Sequence, residues 1–97
     1  MSDRGSGRTS RQLAALPDGG IFLVPHRPMA DHCRSLLLDA GRRHDAVRIV
    51  VLSHPGDAYR LRGTDRGTPW AIDHAFNSIA SRAGRDEADY AQKILTR

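Results

Sequence analysis

The sequence predicts an α/β fold: a small three-layer domain with a mostly parallel sheet of three to four strands flanked by helices. Three observations carry this expectation. The runs IFLV at residues 21–24 and IVVL at residues 49–52 are apolar without alternation, as strands covered on both faces are. A third short run, at residues 70–73, ends in Asp73. Helix-like spacing separates the first two runs and closes the chain, so strands and helices alternate, with right-handed crossovers expected between parallel strands.

Taken in order, residues 1–7 read as a flexible lead, with Ser2, Gly5, Ser6 and Gly7 among them, and residues 8–97 as one domain. Residues 8–16 read as a short helix: Thr9 or Ser10 can cap it, Leu13 and Leu16 lie three apart, and Pro17 stops it. Asp18, Gly19 and Gly20 form a turn. The first strand lies between Gly20 and Pro25. Residues 28–41 read as a helix that Pro28 opens and Gly41 ends, with Met29, Cys33, Leu36, Leu37 and Ala40 on one buried face. Residues 45–53 hold the second strand, and residues 54–57 a turn. Residues 59–62 alternate and suit a hairpin return or a strand start. Residues 63–67 are loop, residues 70–73 the third strand, and residues 86–96 a closing helix with Asp86 and Glu87 at its positive end.

Length and composition bound the function. Ninety-seven residues make one domain, burying roughly 60–68% of the surface the unfolded chain exposes. Hydrophobic residues are 39% and charged residues 27%, the mix of a globular protein. Cys33 is the sole cysteine, so no disulfide forms within the chain. No apolar run approaches the roughly 18 residues of a membrane span, and the polar start is not a secretory signal. The expectation is a cytoplasmic protein with no membrane partner. The net charge of +4 permits an anionic partner, although the basic residues are arginines apart from Lys93 and are widely spread. They gather only at Arg42 and Arg43 and at Arg60, Arg62 and Arg66, which become the candidate nucleic-acid contacts. Tyr59, beside them, is a candidate for stacking on a base.

In open parallel sheets, ligands gather beyond the carboxyl ends of the strands. The first strand delivers His26 there, the second His54, and the third Asp73 and His74. The histidines form a candidate rim. Ordinary turn chemistry is the competing reading, and Asp73 could equally cap a helix that follows it. His32 and Cys33 lack the spacing of a zinc site. Cys33 falls on an apolar helix face, where a small hydrophobe is expected.

A short apolar strand closed by Asp73 resembles the Walker B element of P-loop NTPases, helicase and terminase motors above all. The segment GSGRTS resembles the tail of their Walker A loop, with Gly7, Arg8 and Thr9 in its last three places. This resemblance implies a degenerate P-loop-like domain in which Gly7, Arg8 and Thr9 hold phosphate and Asp73 attends Mg²⁺ carried with a nucleotide. Arg8 stands where the family has Lys, and His74 where it has a catalytic Glu, so hydrolysis is expected to be weak or absent. The expected ligand is a nucleotide phosphate or a nucleic acid. The alternative is a protein-interaction module, such as a phage or mobile-element protein docking on a host nucleic-acid machine, or a homo-oligomer.

Overall fold

The computed structural model describes residues 4–65, 67–77 and 81–96, the side chains of residues 4–8, 75 and 77 excepted. It has three layers. Helix α1 spans Arg4–Ala15, strand β1 Ile21–Val24, helix α2 Arg27–Asp39, strand β2 Arg48–Val51, strand β3 Trp70–Ile72 and helix α3 Arg82–Leu95. The strands form one sheet in the order β2-β1-β3, all parallel, with Leu23 opposite both Val50 and Ile72.

Successive residues of β1 point to opposite faces and build two cores. Phe22 and Val24 pack with Leu13 and Leu16 of α1 and with Ala30, Cys33 and Leu37 of α2. Ile21 and Leu23 pack on the other face with Val50, Leu52, Ala58, Leu61 and Phe76 and with Ala88 and Ala91 of α3. All four β1 residues are buried, and each such side chain contributes about 1.5–3 kcal/mol by leaving water. Among the described residues no helix is long and apolar enough to cross a membrane.

Several boundaries differ from the sequence expectation. Helix α1 takes in residues 4–7, so the GSGRTS segment is helical where a loop was expected. Residues 59–62 are not a strand: Asp57–Leu61 is a 3₁₀ turn, because Ala58 and Leu61, three apart, eclipse and bury together. Helix α3 begins four residues before Asp86, with the Ser81 hydroxyl accepting the Gly84 N–H as N-cap. Gly84 lets this end approach the sheet, since a Cβ there would sit 2.8 Å from the Leu52 carbonyl.

All three helices run against the strands. Helix α2 starts just beyond β1, α3 starts against Leu52 and Ser53, and α1 lays Gln12 on the end of β3. Their positive amino-terminal halves therefore share one edge of the sheet.

Candidate functional site

The chain leaves β1 for α2 on one face of the sheet and leaves β3 for α3 on the other. The two departures make the β1–β3 junction the topological switch point, the place where parallel sheets put ligand crevices. Asp73 stands at this junction. Its N–H donates to the Leu23 carbonyl, carrying the ladder one residue past β3, and its side chain is fully buried. The Thr9 hydroxyl, itself buried, donates to Asp73 Oδ1 at 3.1 Å. Gln12, one turn on, bridges the same place: its Nε2 donates to the Ile72 carbonyl at 2.7 Å, and its Oε1 accepts the His74 N–H at 3.2 Å.

His74 Nδ1 lies 3.2 Å from Asp73 Oδ1. That approach lacks the direction of a hydrogen bond, and both His74 Nδ1 and Asp73 Oδ2 are buried without a hydrogen-bond partner among the described residues. Unpaired buried acceptors of this kind are rare and call for a proton, a water or a cation. In the neighbouring core, burial pushes the Cys33 thiol up to about 12, the charge of Asp73 adds to the rise and Arg34 opposes it. The thiol is inert packing.

The sequence-derived site residues fall in several places. Thr9 and Asp73 meet. Gly7 and the Arg8 backbone lie within α1, and the Arg8 side chain lies outside the described residues. His26 is the N-cap of α2, with Nδ1 accepting the Met29 N–H at 3.2 Å. His54 sits at the end of β2, its Nδ1 3.0 Å from Ser53 Oγ. The Asp73 Oδ1 takes the hydroxyl from α1.

The arginines divide. Arg42 ties the end of α1 in place, donating to the Leu13 and Leu16 carbonyls and to Asp18. Arg43 pairs with Asp45. Arg60 meets Asp57, and Arg62 lies over the Tyr59 ring while donating to its hydroxyl. Arg66 lies outside the described residues.

Gln12 was missed from sequence, yet a signal existed. Thr9, Gln12, Leu13 and Leu16 follow the i, i+3, i+4, i+7 pattern of one helix face. Two polar residues on that face, ahead of two leucines, mark the polar end of a buried stripe.

Comparison with protein-family models, with curated proteins and with solved structures finds no match for this chain.

Proposed function

We propose that the protein is a small P-loop-like α/β domain that binds a phosphorylated anion, a nucleotide phosphate carried with Mg²⁺, in the β1–β3 crevice, with hydrolysis weak or absent. The observation that carries this reading is the buried Thr9–Asp73 pair with its unpartnered Oδ2. A buried carboxylate oxygen favours a cation, whereas the amino-terminal half of α1, which brings Thr9 to Asp73, favours an anion. A magnesium–phosphate complex satisfies both.

The donor set fits such an ion. Thr9 and Asp73 offer only oxygen, and no group of three His, Cys, Asp or Glu side chains among the described residues could form a cage of its own. Magnesium suits this poverty of ligands, because it keeps several waters and uses one or two carboxylates beside phosphate oxygens. Asp73 and Thr9 would hold it, and it would supply charge neutralisation to the phosphate. Hydrolysis is disfavoured because His74 stands in place of the family's catalytic Glu and turns its Nδ1 toward Asp73.

The test is calorimetric titration of the intact protein with Mg²⁺–ATP, repeated on Asp73→Asn. Saturable heat that the substitution removes supports the reading; no heat and no thermal stabilisation of the unsubstituted protein overturns it.

A protein-interaction module is the second reading. It is favoured by Tyr59, 60% exposed beneath the Arg62 guanidinium, since tyrosine and arginine dominate binding hot spots.

A further inference from the structure

A second cleft opens on the other side of β1, between the ends of β1 and β2. Arg27, the first residue of α2, lines one wall; Ser53 and His54, just past β2, form the floor with Val51; Asp57 and Arg60 of the 3₁₀ turn close the far side. The cleft measures about 330 Å³, at the small end of ligand pockets, which run roughly 300–1,000 Å³.

Its loop is held by one carboxylate. Gly56 adopts a left-handed φ of 92°, which folds Asp57 back over the end of the strand. Asp57 Oδ2 then accepts the Ser53 and His54 N–H groups, each at 2.9 Å, and Oδ1 meets Arg60 at 3.4 Å. Burial alone would raise the pKa of Asp57, but these two backbone bonds with Arg60 and His54 hold it below its usual value. The carboxylate is thus committed to the loop. What faces the cleft is a hydroxyl, an imidazole and two guanidinium groups against that single acid. Arg27 has no side-chain partner among the described residues, although an exposed arginine beside Ser53 and His54 is well placed to take one.

From this geometry we infer that the β1–β2 cleft is a binding site for a phosphate monoester, with Arg27 and Arg60 as its two cationic clamps and Ser53 as a hydroxyl donor. Guanidinium groups suit this chemistry because their planar forks bind phosphate oxygens in pairs. The amino end of α2 adds a favourable field at the same wall. Asp57 is a positioning residue: it acts through the loop it holds and through Arg60. The site lies across β1 from Asp73, needs no metal ion and does not rest on the function proposed above.

The experiment is an amide NMR titration of the full chain with inorganic phosphate at constant ionic strength, using chloride as the control. Saturable shifts at the amides of Arg27, Ser53 and His54, with chloride inert, are expected. The Arg27→Ala, Arg60→Ala double variant should weaken phosphate binding at least tenfold while its amide spectrum stays that of the folded protein, since both side chains are exposed. Ser53→Ala gives a second, smaller loss. Unsaturable shifts scattered over the arginines, or undiminished binding by the double variant, would overturn the inference. So would saturable shifts confined to Thr9, Gln12, Asp73 and His74, which would leave the β1–β3 reading standing. Conversely, failure of Mg²⁺–ATP to bind at Asp73 leaves phosphate binding at Arg27 and Arg60 unaffected.

Discussion

Replacing Thr9 with Val removes one hydroxyl and keeps the shape of the side chain. In the structure that hydroxyl is the only side-chain donor to Asp73 among the described residues. Without it, a fully buried carboxylate keeps only the undirected approach of His74. A hydrogen bond to a charged group contributes about 1.5–3 kcal/mol, and a buried acceptor stripped of its donor costs a similar amount, so Thr9→Val should destabilise by about 2–3 kcal/mol. In a domain of this size each kcal/mol moves the midpoint by roughly 4–8 °C, which gives a fall of about 10–20 °C. Asp73→Asn removes the charge itself. The double substitution should therefore cost less than the two singles added, by about 1–3 kcal/mol, the coupling expected of residues in contact. Urea and thermal unfolding followed by circular dichroism would measure all four species. A Thr9→Val variant within about 0.5 kcal/mol of the unsubstituted protein, with zero coupling to residue 73, would refute the reasoning.

Three further outcomes follow from the same packing. Cys33, fully buried and with its pKa raised to about 12, should resist iodoacetamide at pH values near 8 until urea opens the fold; prompt stoichiometric alkylation of the native protein would contradict its placement. Gly84→Ala, which would gain about 1 kcal/mol in an open helix, should instead destabilise by about 1–3 kcal/mol, because its Cβ meets the backbone carbonyl of Leu52 at 2.8 Å; a rise in the unfolding midpoint would show the approach is looser. Asp57 has a lowered folded pKa, so its stabilisation is fully present above the unfolded value of 3.8 and is lost as pH falls through the folded one. The stability gap between the unsubstituted protein and Asp57→Asn should therefore shrink on acidification, and a gap independent of pH in urea unfolding would argue against the loop contacts.

Much of the sheet was legible because its signals are local. β1 occupies the run between Gly20 and Pro25, where apolar side chains on both faces leave no competing period. The 3₁₀ turn was hidden because residues 59–62 alternate like a strand, while the spacing that decides the matter begins one residue earlier, at Ala58. The start of α1 was hidden by Gly5 and Gly7, which each cost a helix about 1 kcal/mol. The start of α3 was hidden by Asp86 and Glu87, which resemble a first turn; Glu87 instead accepts the N–H of Ala58 from across the layer.

The crevice was half legible. A carboxylate at the end of a buried strand and a hydroxyl on the inner face of the first helix are both visible in the chain. That Gln12 would bind the backbone at residues 72 and 74 depends on how α1 lies across β3. The Arg27–Arg60 cleft depends on strand order, which places β2 and β3 on opposite sides of β1. No pattern within a window of residues encodes that order.

The account rests on the first helix reaching the end of the third strand. Nuclear Overhauser contacts in the isotope-labelled protein test this directly. Cross-peaks from the Gln12 side-chain amide to the backbone amides of Asp73 and His74, together with contacts from the Thr9 methyl to the Asp73 side chain, are the result expected from separations of 2.7–3.2 Å between their heavy atoms. A well-resolved spectrum in which Thr9 and Gln12 show contacts only within their own helix would contradict it.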